Sequence, residues 1–462
     1  DLQMDPLKFS SQDIPSSSTF SSSIECKNVP AVLGGCVAHW KALSSWNPAT
    51  GGLDYLLERA GSQDVDAIIS KSAPVFYGDI RRHERVRLLF SSFIAYSKKR
   101  TGKSANLISN DTFEFLDISQ EMYLAQVPIM NMEDKHSVQL RVLEEDIQML
   151  ELLGTKELVS INFWMNSARV RSSTHYDPHH NILCVVSGRK EVVLWPPSAS
   201  PCLYPYPIYS EASNHSSLEL ESQDQSLFLR AQNCMDYSSR VSLSAGDALF
   251  IPEGWFHQVD SEDLTIAVNF WWQSNITCNM FDHMDGYYLR RIMRRMTDKE
   301  MDLALSSNFK LDNKTNDGSL VALQKLVSLV HEQFNQSDQT LVSEKKGNYE
   351  PSMNHDDVST ILWSLDIFTF QSVIQTMAVN FPKTLEALVL YVLSPIGAEV
   401  LTRKFDEVDK KLSKEEQDKF FCEYHGAFEN RFNAMSTVLS KKEAFAAKAF
   451  KNVLDKYLGG SS

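Results

Sequence analysis

The stretch NILCVVSGRKEVVLW, residues 181–195, decides the fold class expected for this 462-residue chain. Two apolar runs rich in β-branched residues, 181–186 and 190–195, flank Ser187-Gly188-Arg189. Such runs are typical of buried strands, and a short glycine-containing break between them predicts a β-hairpin. The centre of the chain is therefore expected to be β-structure.

Further strand candidates lie on both sides of this pair. They are the apolar runs 159–164, 249–251 and 264–272, and Ala245-Gly246-Asp247 forms a turn before the second. Many short strands separated by turn signals suggest an antiparallel sandwich or a small barrel.

The rest of the chain has a different character. Strand-like and helical pieces alternate up to about residue 155, whereas apolar residues recur at helical spacing beyond residue 283. We therefore expect a leader over residues 1–23, a mixed α/β part over 24–158, a β core over 159–282 and a helical domain over 283–458. The predicted fold class is α+β.

Composition restricts the possible partners and compartment. The chain has 45 Lys and Arg against 59 Asp and Glu, a net charge of −14, so nucleic-acid binding would need a local basic patch. Seven cysteines without a CxxC pair argue against a disulfide framework and a zinc ribbon, which favours an intracellular location in the nucleus or cytoplasm. Without a run of about 18 apolar residues, we expect no membrane span.

Three side chains are spaced as metal ligands. In THYD, residues 174–177, His175 and Asp177 point to the same side of an extended chain. In FIPEGWFH, residues 250–257, Pro252 and Gly254 turn the chain and present His257. Two imidazoles and one carboxylate on one face of a metal are typical of non-heme Fe(II) oxygenases, which keep three positions open for a cosubstrate and O2. Zinc binds the same atoms, but its catalytic sites are typically tetrahedral.

Lys190 lies on the second run of the predicted hairpin, which should return beside His175. A buried ammonium without a partner costs several kcal/mol, so a lysine inside a small barrel needs an anion. The distal carboxylate of 2-oxoglutarate would be such an anion.

Together these motifs resemble those of the cupin-8-like Jumonji-C oxygenases, a group that contains protein hydroxylases and a tRNA wybutosine hydroxylase. The resemblance covers roughly residues 24–275, including the N-terminal strand VPAVLGG, residues 29–35. The matching positions are Thr174–Asp177, Asn181, Gly188–Lys190, Trp195–Pro197, Gly246–Pro252, Trp255–His257 and Asn269–Trp272. It implies a double-stranded β-helix (cupin or jelly-roll) core.

The resemblance also implies roles for single residues. It implies Fe(II) ligation by His175, Asp177 and His257. It implies that 2-oxoglutarate is bound by Tyr123, Ser172, Asn181 and Lys190, where Ser172 replaces a threonine found in some members. Asn162 and Asn269 are expected to line the site.

The function implied is that of an Fe(II)- and 2-oxoglutarate-dependent oxygenase that uses O2 to hydroxylate a protein side chain. Histone lysine demethylation and tRNA hydroxylation are the alternatives, and the acidic charge favours a basic protein over RNA. A catalytically silent cupin that binds a partner is a further alternative. A homodimer through the C-terminal helices is possible.

Several of these residues also fit simpler interpretations. His175 and Asp177 alone are consistent with a surface turn before Pro178, and Lys190 with a solvated strand position. Tyr123 is consistent with a core aromatic residue. Four arginines at helical spacing are more typical of a solvated helix face than of a nucleic-acid patch: Arg290, Arg291, Arg294 and Arg295.

Overall fold

The computed structural model divides into two compact units. The β unit comprises Asp1–Pro207 and Ala212–Arg290, and the helical unit comprises Ile208–Glu211 and Arg291–Ser462. The structure describes residues 5–70, 75–76, 84–102, 121–132, 138–218, 230–274, 284–309, 318–340 and 357–458.

The described strands of the β unit belong to one mixed sheet. The strands are β1 Leu7–Phe9, β2 Ala31–Leu33, β3 Asp64–Ser70, β4 Val75–Phe76, β5 Glu84–Leu89, β6 Glu121–Asn131, β7 Leu158–Asn166, β8 Val170–His175, β9 His180–Trp195, β10 Ser239–Ser244, β11 Ala248–Ile251 and β12 Phe256–Trp272. The main path of the sheet runs β1-β2-β11-β9-β12-β7-β6-β3-β5, while β10 pairs with β9, β8 with β12 and β4 with β8.

Short helices cover this sheet. Leu53, Leu56 and Ala60 recur at three- and four-residue intervals and are buried, as the sequence pattern predicts for a helix that docks on a core. The α-helices that begin in the β unit are α1 Ser17–Ser23, α2 Lys41–Ser45, α3 Gly52–Ala60, α4 Phe90–Arg100, α5 Ser200–Leu203 and α6 Asp285–Asn308. Turns of 3-10 helix span Glu25–Lys27, Pro48–Thr50, Arg141–Asp146, Glu151–Leu153, Pro197–Ala199 and Ala231–Tyr237.

The two longest strands, β9 and β12, pair antiparallel from Phe256 opposite Trp195 to Trp272 opposite His180. The predicted hairpin at residues 187–189 is therefore wrong, because both apolar runs belong to one strand with a common partner. Gly188 has a φ of 80°, and the register with β12 shifts at the same level. The extra residues at this level lie on β12, between Glu262 and Ile266, and face Gly188, so the paired strands bend there and the chain does not reverse.

The expected leader is also wrong for the residues that the structure describes. Leu7–Phe9 pairs in parallel with Ala31–Leu33, and Phe20 is wholly buried with its ring centroid 5.1 Å from that of Phe250. The serine-rich composition gave no signal for the one core aromatic residue, Phe20, on helix α1. The helix begins after its N-cap Ser16, whose side chain accepts a hydrogen bond from the backbone N–H of Thr19. These segments are part of the β unit.

The helical unit has its own hydrophobic cluster, which includes Leu326, Leu362, Phe370, Val400 and Phe420. Its helices are the C-terminal part of α6, then α7 Ser319–Thr340, α8 Asp357–Ser364, α9 Ile367–Asn380, α10 Pro382–Ala387, α11 Pro395–Lys411, α12 Lys414–Gly426 and α13 Arg431–Leu458, with a π-helical turn over Leu388–Val392. The α+β class, with mixed N-terminal elements and C-terminal helices, is confirmed. The homodimer stays a prediction.

Among the described helices, none combines the length and apolar character needed to cross a lipid bilayer.

Candidate active site

His175, Asp177 and His257 meet at one point of the β unit. His175 ends β8 and lies directly opposite His257 on β12, and Asp177 follows two residues later. The Nε2 atoms of His175 and His257 lie 3.8 and 3.6 Å from the two carboxylate oxygens of Asp177. One ligand atom from each residue lies within 4.8 Å of the others, and within the described part of the chain no other cluster of three such groups occurs.

Contacts with the backbone orient the two imidazoles and fix the chain at Asp177. The Nδ1 atoms of His175 and His257 lie 2.6 and 3.1 Å from the carbonyl oxygens of Ser173 and Trp255. Each carbonyl accepts the Nδ1 proton, which leaves the Nε2 lone pair directed at the shared point. The backbone N–H of Gly254, at a φ of 82°, donates to the Asp177 carbonyl oxygen at 3.1 Å. The turn before His257 therefore also holds the backbone at Asp177.

Burial keeps the His257 imidazole neutral. His257 is 4% exposed, and desolvation, with the nearby His175, lowers its pKa to about 4 against the opposing effect of Asp177. A neutral imidazole offers the lone pair that a metal requires. Two imidazole nitrogens and one carboxylate oxygen on one face are a donor set that fits Fe(II) with further positions open.

Lys190 is buried in the same cavity, with 2% of its surface exposed. Its Nζ donates to the hydroxyl of Ser261 at 2.6 Å, and burial lowers the pKa of Lys190 to about 7. No carboxylate within the described ranges forms an ion pair with this ammonium. The interpretation of Lys190 as a solvated strand residue is therefore wrong. Its ammonium offers a positive charge to an anionic ligand in the cavity.

The remaining residues predicted to contact 2-oxoglutarate line the cavity together with Lys190 and the three candidate ligands. Tyr123 lies on β6, Ser172 on β8 and Asn181 on β9, and each is buried. The cavity has a volume of about 150 Å³. Strands far apart in the sequence thus bring all seven predicted side chains to one place.

A chain of amide and indole groups supports one side of the cavity. The amide of Asn269 donates to Asn181 Oδ1 at 3.0 Å, while its own oxygen accepts from Trp164 Nε1 at 2.8 Å and from Asn162 at 3.2 Å. Asn269 lines the cavity as predicted. Asn162, which we expected to line it as well, lies behind Asn269 and also donates to Ser160.

Sequence reasoning missed several lining residues. Gln126 has a φ of 58° at a register shift in β6, and such a backbone conformation carries no reliable sequence signal for a glutamine. Asn214 and His215 lie in an insertion that reads as irregular, so their approach to His175 depends on tertiary pairing. The others are Trp164, Leu183, Ile251, Val259 and Trp271.

Comparisons with known proteins agree with this geometry. The cupin-like domain family matches residues 17–278. The lysine-specific demethylase JMJ31 of Arabidopsis thaliana is 45% identical over 501 aligned residues, which cover 92% of this chain and 91% of that protein.

Two more distant relatives match about half of this chain. The tRNA wybutosine-synthesizing protein 5 of Gallus gallus is 31% identical over 55% of this chain and 72% of its own length. The bifunctional peptidase and (3S)-lysyl hydroxylase JMJD7 of Homo sapiens is 28% identical over 54% of this chain and 78% of its own length. The chain therefore belongs to the cupin-like Jumonji-C family of 2-oxoglutarate-dependent oxygenases.

Proposed function

We propose that this protein uses Fe(II), 2-oxoglutarate and O2 to hydroxylate a protein side chain. The observation that carries the proposal is the convergence of His175, Asp177 and His257 beside the buried ammonium of Lys190 in one cavity. A silent binding module has no physical need for a buried lysine without an anionic partner, because such a lysine only costs stability.

Each side chain has a role in this proposal. His175, Asp177 and His257 would hold Fe(II) through two Nε2 atoms and one carboxylate oxygen. Lys190 would bind the distal carboxylate of 2-oxoglutarate, and hydroxyl and amide groups complete that subsite: Tyr123, Ser172 and Asn181. When bound, the metal and 2-oxoglutarate supply the oxidation of a C–H bond by O2.

The walls of the cavity would control water and orientation. Leu183, Ile251 and Val259 present apolar side chains to the cavity, and the hydrogen-bonded chain through Asn269 fixes Asn181. A polar group that is already fixed before the ligand arrives loses little conformational entropy on binding. These residues therefore favour one orientation of the cosubstrate over several.

A protein substrate fits the charge of the chain better than RNA does. The net charge of −14 repels a phosphate backbone at long range and attracts a basic protein. We place the protein in the nucleus or cytoplasm, where such substrates occur.

Lysine demethylation is the second candidate, because the relative named as a lysine-specific demethylase is 45% identical over nearly the whole chain. Both reactions begin by oxidising a C–H bond, and they diverge when that carbon is an N-methyl group, which leaves as formaldehyde. Mass spectrometry of candidate proteins distinguishes the two, because hydroxylation adds one oxygen atom whereas demethylation removes one methylene. Treated tRNA included in the same assay tests the third candidate.

Anaerobic titration tests the proposed site directly. Fe(II) and 2-oxoglutarate added together to the full chain should produce a weak visible metal-to-ligand band. Asp177→Ala should abolish this band and the turnover while the circular dichroism spectrum stays unchanged. A wild-type protein that shows no band would be a silent scaffold, and the proposal would be wrong.

A further inference from the structure

Residues 212–217, here called the His215 segment, pair with the end of β8. The backbone N–H of Tyr176 donates to the Asn214 carbonyl at 3.1 Å, and that of Ser216 to the Thr174 carbonyl at 2.8 Å. His175 therefore has a histidine opposite it on each side. His257 on β12 is its partner on one side, and His215 is its partner on the other. Three imidazoles thus lie on three neighbouring chain segments.

The His215 ring stacks on the ring of His175. Their centroids are 5.0 Å apart with an interplanar angle of 21°, and His215 is 7% exposed. Ser173 joins the two rings, since its carbonyl accepts from His175 Nδ1 and its hydroxyl lies 3.3 Å from His215 Nδ1.

This stack limits a motion that the Ser173 carbonyl alone permits. One hydrogen bond at Nδ1 fixes the tautomer of His175 but leaves its ring free to rotate about that bond. A flat ring against one face removes this freedom, because rotation would drive the two rings together. His215 itself stands outside the group of side chains whose donor atoms converge.

Arg290, in the first turns of α6, anchors the chain around this stack. Its Nη2 donates to the carbonyls of Tyr206 and Ser213, both at 2.6 Å, and its Nε lies 3.5 Å from the hydroxyl of Tyr176. Tyr176 is the residue between His175 and Asp177. The interpretation of Arg290 as part of a solvated helix face is therefore wrong, because its guanidinium donates hydrogen bonds to two backbone carbonyls.

We propose that His215 and Arg290 are positioning residues for the metal centre, His215 by stacking on His175 and Arg290 by holding the His215 segment and Tyr176. The inference rests on the proposed function. Outer contacts of this kind change metal affinity about 10- to 100-fold when they are removed.

Titration of the full chain with Co(II) alone tests the inference, read by visible absorption of the bound metal in the absence of 2-oxoglutarate. His215→Ala should weaken Co(II) binding about tenfold. His215→Phe keeps a flat ring on His175 and should bind Co(II) as the wild type does. A wild-type affinity in His215→Ala, or an equal loss in both variants, would overturn the stacking role.

Arg290→Ala should also weaken Co(II) binding. The control is Arg295→Ala on the same helix, because Arg295 is exposed, and this variant should match the wild type. In the double variant, His215→Ala with Arg290→Ala, the fold-loss of Co(II) affinity should be smaller than the product of the two single losses, since both residues act through one segment. Fully multiplicative effects, or no effect of Arg290→Ala, would overturn the role of Arg290.

These outcomes are distinct from failure of the proposed function. A wild-type protein that binds Co(II) but gives no band with Fe(II) and 2-oxoglutarate would remove the proposed reaction and leave the positioning roles testable. Melting temperatures of the metal-free variants, measured alongside, identify a variant that has merely lost stability. A variant that has lost stability but keeps wild-type Co(II) affinity counts against the proposal.

Discussion

Burial of Lys190 sets the pH dependence of stability at the scale of single residues. The unfolded chain binds this proton with the ordinary pKa of 10.5, whereas burial lowers the pKa in the folded protein to about 7. Between these values the unfolded chain holds more proton, so the contribution of Lys190 to the free energy of unfolding rises with pH. Below pH 7 the full penalty of the buried charge remains.

Lys190→Met should therefore stabilise the protein at pH 6 by about 1–3 kcal/mol and have little effect near pH 10. The same change should weaken 2-oxoglutarate binding by about 2–5 kcal/mol, the usual cost of removing one partner of a buried charge pair. Calorimetry at both pH values and ligand titration measure the two effects.

Lys404→Met is a matched control for the loss of ligand. Lys404 is also a buried lysine, but its Nζ donates to the Leu365 carbonyl and lies 3.6 Å from Glu407. Its replacement should leave 2-oxoglutarate binding unchanged. A lower melting temperature of Lys190→Met at pH 6 would contradict the account of Lys190.

At the scale of elements, the bend at Gly188 aligns β9 with the site. A Cβ atom at this position would lie 2.6 Å from the Thr265 hydroxyl oxygen and 2.9 Å from the Leu264 carbonyl. Gly188→Ala should therefore cost more than the roughly 1–3 kcal/mol of a positive φ alone. It should also weaken 2-oxoglutarate binding, because Lys190 follows two residues later.

Gly102→Ala separates the two costs in denaturant unfolding. Gly102 has a φ of 69°, but a Cβ there would come within 4 Å of no atom in the described part of the chain. The Gly102→Ala variant should therefore lower the free energy of unfolding only by the cost of the positive φ, and its affinity for 2-oxoglutarate should not change. Equal losses in the two variants would show that the bend at Gly188 is not sterically required.

Element existence was more predictable than element connection. Apolar runs identified the strands, because burial on both faces selects β-branched residues, and the i, i+2 spacing placed His175 beside Asp177. The same glycine signal marks both a hairpin and a bulge, so the continuity of β9 depends on β12, which is remote in sequence. The His215 segment lacks a periodic pattern, and its place beside β8 comes from tertiary hydrogen bonds.

At the scale of the whole molecule, the two units have separate hydrophobic clusters. Leu56 on α3 and Leu362 on α8 are both fully buried leucines, one in each cluster. Each change to alanine should cost about 2–5 kcal/mol. Leu362→Ala should lower the melting transition of the helical unit and leave the Fe(II) and 2-oxoglutarate band intact.

Leu56→Ala should instead lower the melting temperature of the β unit. Metal and 2-oxoglutarate should raise that same melting temperature, because ligands stabilise only the unit that binds them. Scanning calorimetry with and without ligands separates the transitions. One shared transition lowered equally by both changes would show that the units unfold together.

The pairing of β8 with β12 has a consequence for biosynthesis. A nascent chain that has emerged from the ribosome only as far as residue 200 carries His175 and Asp177 but has no third donor. Contacts between residues so distant in sequence form late, after the cost of closing the intervening loop has been met. In the proposed enzyme, iron loading would therefore follow translation of the β unit, and a fragment truncated before β12 would lack one of the three proposed ligands.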